Sequence, residues 1–407
     1  MNKKNQAAKK IYLKYVQLRG YRTILDTQID LDPELNIIIG KNGVGKSNFL
    51  NYLKTSMDFN IQSVSNHDAY LVIARGNSHE YSFDLKSKIE STIENGTPVI
   101  ESNLITIDVG IDKKEQHRFK GHDELYALLN KEDVFFSTVF ITHGLPVNYP
   151  LVKTPFSFRI DHTGALEGYS DLLSTSRRQS LFLENIFNFI LYQGINIYRE
   201  SKTPTKKEIE TIIPGIAGLL EPVELSLKKF SNIEGVRLSK NYNLVFDKTQ
   251  PGFSVNNLYL EFKVGRQWLP FSHLSDGERR LFYIFSEIAS PTLFYFTKSK
   301  FTLNTGETNK IVLIEEPELG LHPHQLDSLL NFLREASIAR QIIITTHAPQ
   351  ILDMLNRDEL SKIIIARLTG NGTKLRHLTR KEQEKASLYL EEEAYLSDYW
   401  KYSDLET

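Results

Sequence analysis

Apolar and polar residues alternate over short spans in the first third of the chain. Ile11-Tyr12-Leu13, Tyr15-Val16-Gln17-Leu18 and Ile29-Asp30-Leu31, followed by a solid apolar run, Ile37-Ile38-Ile39, predict two or three strands over residues 11–39. Tyr70 to Ala74 and His79 to Leu85 alternate as half-buried strands do, joined across Arg75-Gly76-Asn77-Ser78, and Ile100 to Ile111 continues the pattern. An antiparallel sheet is expected there. Leu181 to Tyr198 and Lys206 to Leu227 have a helical period, with Pro204, Pro214 and Pro222 expected to break it. Leu258 to Phe262 and Gln267 to Leu269 read as strands. Two further solid runs, Ile311 to Ile314 and Ile342 to Ile344, carry the mark of strands buried on both faces, with a helix from Gln325 to Ala336 between them.

Composition narrows the class. At 407 residues with 41% hydrophobic positions, the chain can build one large or two medium domains. A net charge of −1 gives no global attraction to nucleic acid, which leaves only local basic faces such as Arg177-Arg178 and Lys202 to Lys207. Such clusters serve either as solvated faces or as contacts to DNA or a partner. The chain has no cysteine, which excludes disulfides and thiolate metal sites and fits a reducing cytoplasm. No apolar run approaches the ~18 residues of a membrane span. Lys3, Lys4, Lys9 and Lys10 precede no apolar run with a cleavage site, so no signal peptide and no membrane contact are expected.

Chemistry enters at Gly40-Lys41-Asn42-Gly43-Val44-Gly45-Lys46-Ser47. The run Ile37 to Ile39 feeds it, and Phe49, Leu50, Leu53 and Met57 follow at helical spacing, so its setting is strand, glycine loop, helix. Glycines let successive backbone N–H groups turn towards phosphate oxygens, and the helix adds the positive end of its dipole. A plain glycine-rich turn is the alternative; the full G-x-x-x-x-G-K-S pattern in this setting argues against it. Asn42, Gly43, Gly45, Lys46, Ser47 and Asn48 are the candidate nucleotide-binding residues, with Lys46 expected on the β- and γ-phosphates and Ser47 on Mg²⁺. Tyr21 or Arg22, in the segment Leu18 to Thr23, is a candidate to touch the nucleotide, against an exposed turn with a solvated arginine. Gln62 is a candidate γ-phosphate and metal sensor, against a plain loop glutamine.

Three later stretches fit the same chemistry. Leu274-Ser275-Asp276-Gly277-Glu278 holds an S-x-x-E capping box that opens a helix bearing Leu281, Phe282, Phe285 and Ile288 on one face. Alone this is ordinary helix chemistry; beside a phosphate-binding loop it reads as a second phosphate site. The run Ile311 to Ile314 ends in Glu315-Glu316-Pro317, where Glu315 suits the metal shell and Glu316 can deprotonate water. Gln341 to Thr346 ends in His347, a candidate donor to the γ-phosphate.

In this order the four segments resemble an ABC-type ATPase, and within that class the RecF, SMC and OLD-like group. Glu315 to Pro323 and Thr346-His347-Ala348-Pro349-Gln350 are similar to that group's motifs. The resemblance implies an α/β fold: an ABC-ATPase head with a mixed or parallel sheet around the phosphate loop, an antiparallel β subdomain and a mainly helical insertion. It divides the chain into an N-terminal ATPase lobe at 1–150, a helical insertion at 151–250, a C-terminal ATPase lobe at 251–370 and a tail at 371–407. It also implies Arg22 near the nucleotide, ATP and Mg²⁺ as cofactors, and a head-to-head dimer. There Ser275, Asp276 and Gly277 of one subunit would meet the nucleotide of the other. Two departures stand out: Glu315 where many ABC proteins have aspartate, and Asp276 where transporters have glycine.

OLD-like enzymes carry a Toprim nuclease domain after the ATPase, whereas sixty residues follow His347 here. The expectation is therefore an ATPase that works as sensor and scaffold for a separately encoded effector, similar to ATPase subunits of bacterial anti-phage systems such as Septu and PARIS. The alternative is a RecF-like DNA-repair ATPase that clamps DNA directly. Leu388-Tyr389-Leu390, Tyr395-Leu396, Tyr399-Trp400 and Tyr402 would either anchor a partner or pack on the chain's own core.

Overall fold

The computed structural model describes residues 10–59, 68–76, 78–94, 97–112, 115–119, 122–132, 134, 136–146, 149–167, 180–200, 204–246, 252–290, 294–297, 300–303, 309–392 and 395–402. Gln62, Arg177-Arg178 and Lys202 lie outside them. The chain forms two compact units: Met1–His143 with Asn309–Leu319 and Leu333–Thr407, and Gly144–Thr308 with Gly320–Phe332. No helix among the described residues is long and apolar enough to cross a membrane.

The first unit holds two sheets. Strands β1 (Ile11–Tyr21), β2 (Ile24–Asp30), β4 (Asp68–Arg75), β5 (His79–Glu94), β6 (Thr97–Ile111) and β7 (Glu115–Phe119) form an antiparallel sheet in the order β2-β1-β4-β5-β6-β7. The two apolar fragments expected at 11–13 and 15–18 are one strand, whose register with β4 shifts between Leu13 and Tyr15. The shift reconciles two phases of alternation, so that Ile11, Leu13, Val16 and Leu18 all face inwards. The second sheet is mixed: Gly372–His377, Ile363–Thr369, β3 (Leu35–Ile39), Gln341–Thr346, Asn309–Glu315 and β8 (Phe136–Ile141), in that order. Five strands run parallel, and only Gly372–His377 runs against its neighbour. Helix α1 (Lys46–Met57) buries Phe49, Leu50, Leu53 and Met57, as its spacing predicts.

In the second unit the helix Leu181–Glu200 matches the expected span. The expected span Lys206 to Leu227 is two helices, Lys206–Glu210 and Ile212–Phe230, and the second departs from the expectation. Ile212–Phe230 runs unbroken through Pro222. Pro214 sits in the first turn, where its missing N–H has no intrahelical role. At Pro222 one hydrogen bond is lost, and burial of Ile216, Leu220, Val223 and Leu227 along one face outweighs it. The helix Asp276–Ala289 is almost wholly buried beyond its first turn, and Phe285 packs on Phe332 with ring centroids 4.1 Å apart.

The C-terminal aromatics pack inwards. Leu396, Tyr399 and Trp400 are buried, and Tyr389 lies 5.2 Å from the Tyr399 ring; Leu388 and Tyr395 are exposed. The helix Arg380–Glu391 is tied to the edge strand of the mixed sheet through Glu382, whose carboxylate takes a forked pair of bonds from Arg376 at 2.8 Å each and closes a capping box with Thr379. The Arg376 bonds foremost, then those from Thr379, pull the Glu382 carboxyl down to about 2. Stability from this pair is complete above the unfolded carboxyl's range and is lost as pH falls from ~4.3 towards about 2. Glu382→Gln should therefore cost about 1 kcal/mol near neutral pH, after discounting for solvent screening, and progressively less under acid. Denaturation curves at pH 7, 4 and 2.5 check this; a variant deficit independent of pH would refute it.

Candidate active site

Register brings the sequence motifs together. In the mixed sheet, Ile39 lies opposite Thr346, and Thr345 opposite Glu315. These strands are parallel, so the chain leaves each of them at the same edge of the sheet. Gly40, Glu316 and His347 thus emerge side by side from three adjacent strands. β8 joins the same parallel set and delivers His143, two residues beyond its end.

The loop after β3 is held from outside. Gly43 and Gly45 have φ of 81° and 98°, a left-handed backbone that glycine adopts without strain. A Cβ on Gly45 would also collide with the hydroxyl oxygens of Thr373 and Thr23. Those hydroxyls brace the loop: Thr373 Oγ1 lies 2.8 Å from the Val44 carbonyl and 2.9 Å from Thr23 Oγ1, and the Thr373 amide donates to the Thr23 carbonyl at 2.7 Å. Asn48 Nδ2 donates to Thr23 Oγ1 at 3.1 Å and Arg22 donates to Asn48 Oδ1 at 3.2 Å. Arg22 itself has φ of 51° in the tight β1–β2 turn, and stands over the Tyr21 ring at 5.1 Å. Helix α1 begins at Lys46 with no side-chain cap hydrogen bond at Gly45, and a helix start of this kind suits an anionic acceptor. Lys46 is buried, and its ammonium donates to the carbonyls of Gly40 and Lys41 at 2.6 and 2.9 Å, so a positive charge is stored inside the loop. Uncapped donors, left-handed glycines and an enclosed ammonium form a donor set that fits a polyphosphate.

The acids occupy the next strand end. Glu315 is buried, with Oε2 3.4 Å from Nδ1 of the exposed His143. Glu316 has φ of 44°, an unfavourable backbone for a residue with a Cβ. That turn sends its carboxylate towards His347, whose Nδ1 lies 3.0 Å from Glu316 Oε1. Glu318 stands behind them: its Oε1 accepts from Thr346 Oγ1 at 2.6 Å and from the His347 amide at 3.3 Å. Burial pushes the Glu318 carboxyl above the usual carboxylate range.

The Ser275 segment belongs to the other compact unit. Its capping box is formed in both directions: Ser275 Oγ accepts from the Glu278 amide at 3.2 Å, and Glu278 Oε2 accepts from the Ser275 amide at 3.0 Å. Arg279 stiffens the approach, donating to the carbonyls of Phe271 and Ser272 and to Asp276. Gly277 carries no Cβ where the Gln325 amide packs against it.

Of the candidate residues, Arg22, Asn48, Lys46, Glu315, Glu316 and His347 fall within the first unit around one sheet edge, with Asn42, Gly43, Gly45 and Ser47 on the same loop and helix start. Ser275, Asp276 and Gly277 lie in the second unit, and Gln62 lies outside the described residues. Sequence reading missed Thr23 and Thr373, which carry no motif and meet only through the fold. It also missed His143 beside Glu315, and Glu318, which was visible in the Glu315 to Pro323 stretch but had no assigned partner.

Two family matches cover most of the chain: residues 12–149 match the family described as "AAA ATPase domain", and residues 174–353 match "AAA domain, putative AbiEii toxin, Type IV TA system". The chain is similar to "Retron Vc95 probable ATPase" of Vibrio cholerae, 24% identical across 87% of this chain and 74% of that one. It is 21% identical to "Endonuclease GajA" of Bacillus cereus, across 93% of this chain and 61% of that protein. With "DNA replication and repair protein RecF" of Clostridium tetani it shares 27% identity across 37% of this chain and 36% of the relative. The chain therefore spans less than two thirds of the length of GajA and of RecF. Among solved structures it is similar to an Smc head bound to the C-winged helix domain of ScpA, with a TM-score of 0.48 and 13% identity over 92% of this chain and 99% of the other.

The threonine brace yields a test. Thr373→Val keeps the shape and removes the hydroxyl that meets Val44 and Thr23. Losing about 1 kcal/mol of hydrogen bonding in the loop should weaken ATP binding about fivefold with little change in melting temperature. Calorimetric affinity equal to wild type would show that the loop needs no brace.

Proposed function

We propose that the chain is an ATPase of the RecF-, SMC- and OLD-like group that binds and hydrolyses ATP with Mg²⁺, a reading supported by its two ATPase-domain matches and its likeness to defence-system proteins. The observation that carries this reading is the parallel register that sets the glycine loop, Glu315-Glu316 and His347 at one sheet edge. On ATP binding, the Lys46 ammonium leaves the Gly40 and Lys41 carbonyls for the β- and γ-phosphate oxygens. The N–H groups of Gly43 to Asn48 and the start of α1 take the remaining phosphate oxygens. Arg22 and Asn48 flank the nucleotide. The Ser47 hydroxyl and the Glu315 carboxylate are the residues that would hold Mg²⁺, directly or through water, and the ion would supply charge that offsets the phosphates.

Glu316 is the general base. It orients a water molecule and takes its proton as the water oxygen bonds to the γ-phosphorus and the bond to the ADP oxygen breaks. His347 is held through Nδ1 by Glu316, which leaves Nε2 to meet the γ-phosphate. Ser275, Asp276 and Gly277 present an ordered helix start to the nucleotide of a second copy, in a head-to-head dimer.

The dimer acts as an ATP-dependent sensor and scaffold in prokaryotic anti-phage defence, for a nuclease effector encoded separately. The likeness to proteins named for a retron ATPase and for the endonuclease GajA supports the defence setting. The likeness to RecF supports the alternative, a direct DNA clamp, over a smaller share of the chain.

Three substitutions separate the steps. Lys46→Ala should weaken ATP binding by about tenfold or more. Glu316→Gln should bind ATP normally, lose turnover and accumulate a closed dimer. Ser275→Arg should bind ATP and fail to close or turn over, while mixing it with Lys46→Ala restores one hybrid site per heterodimer. Calorimetry, phosphate release and sedimentation read these outcomes. Normal turnover by Glu316→Gln, or mixtures as inactive as their parents when heterodimers form, would refute the assignments.

The effector reading predicts that the purified chain, given ATP with Mg²⁺ or Mn²⁺, leaves linear DNA, circular DNA and RNA intact and co-purifies with the product of a neighbouring gene. Cleavage abolished by a variant of this chain would overturn it, and tight ATP-dependent DNA binding without any partner would favour the clamp.

A further inference from the structure

We infer that Glu318 is a positioning residue for His347, and that it acts through a single carboxylate oxygen. The inference rests on the ATPase reading above. Glu318 lies in the turn that follows Glu316, closed by the Leu319 amide donating to the Glu316 carbonyl at 3.2 Å. This turn carries Glu318 back under the end of the Gln341–Thr346 strand. Its Oε1 gathers three contacts: the Thr346 hydroxyl at 2.6 Å, the His347 amide at 3.3 Å and His347 Nδ1 at 3.6 Å. Thr346 Oγ1 in turn accepts from the Ala348 amide at 3.0 Å, so both backbone amides that flank the His347 carbonyl bond into one local network. The imidazole is then fixed between two carboxylates, with Glu316 Oε1 nearer at 3.0 Å.

The second oxygen, Oε2, is buried with no hydrogen-bond partner among the described residues, and the Glu318 side chain is 8% exposed. A buried carboxylate with half its acceptors unsatisfied is a costly way to fill space. The cost is offset only if Oε1 does something an apolar side chain cannot. What it does here is hold the strand end that carries His347. Glu316 bonds the ring; Glu318 bonds the backbone below it. Removing Glu318 leaves the ring tethered at one end only, and the Thr346 hydroxyl and His347 amide lose their acceptor inside the protein. A misplacement of about 1 Å at a group that contacts the transferring phosphoryl slows chemistry without weakening ground-state binding.

Because only Oε1 is used, glutamine should substitute for Glu318 and alanine should not. The experiment measures steady-state ATP turnover and ATP affinity for wild type, Glu316→Gln, Glu318→Ala, Glu318→Gln and Thr346→Val. Turnover in wild type that is lost in Glu316→Gln establishes the reaction. Glu318→Ala should then lower kcat about tenfold or more, with KM and ATP affinity within about twofold of wild type. Glu318→Gln should recover kcat to within about threefold of wild type. Thr346→Val, which removes one of the two donors and keeps the carboxylate, should lower kcat by a smaller factor and serves where Glu318→Ala does not fold. Wild-type kcat in Glu318→Ala or Thr346→Val would overturn the inference and leave the ATPase reading standing. So would Glu318→Gln as slow as Glu318→Ala, or a raised KM at unchanged kcat. An inactive wild type would overturn the ATPase reading, and the inference with it.

Discussion

The register of three buried parallel strands is the constraint on which the site depends. All five residues of β3 and all six of Gln341–Thr346 are buried, as are six of the seven in Asn309–Glu315. Sliding any one of these strands by a residue would turn its side chains to the opposite face and move its C-terminal loop by more than 3 Å. Burial on both faces therefore fixes where Gly40, Glu316 and His347 stand relative to one another. The chemistry is written in the loops, and the apolar strands determine that the loops meet.

Local backbone geometry then aims the groups. Gly45 and Glu316, two of the left-handed positions of the site, adopt that conformation for different reasons. Gly45 does so without cost, and its missing side chain makes room for Thr23 and Thr373. Glu316 does so against its own preference, and the turn brings its carboxylate to His347. The hydroxyl brace links the β1–β2 turn, the glycine loop and the edge strand Gly372–His377, and the Arg376–Glu382 fork clamps that same strand to a helix. The loop is thus anchored to the C-terminal part of the first unit by side chains remote in sequence.

The Ser275 segment follows another logic. Its order is local: a reciprocal capping box, with Arg279 tying the helix start to the turn before it. Such a helix terminus needs no distant partner to be shaped. It is a preformed helix start, suited to a ligand that arrives already bound elsewhere, as the proposed dimer requires.

Features whose physics is contiguous are legible in the amino-acid order alone. Strand, glycine loop and helix lie within two dozen residues, and the capping box within four. The runs that end in Glu315 and His347 declare themselves by unbroken apolarity. The inward packing of Tyr399 and Trp400 was one of two open readings, because aromatic density looks the same on an interface and in a core. Continuation of the helix through Pro222 was misread, since local propensity does not include the apolar face packed against it. Which distant side chains finish the site depends on the fold. Thr23 and Thr373 are ordinary residues until two hairpins place them on either side of Gly45. His143 meets Glu315 because β8 joins the parallel sheet. Glu318 meets Thr346 because a left-handed turn at Glu316 folds it back. Hydrogen bonds between residues tens to hundreds of positions apart leave no periodic trace along a chain, so they become visible only when the fold brings their atoms within 3 Å or so of each other.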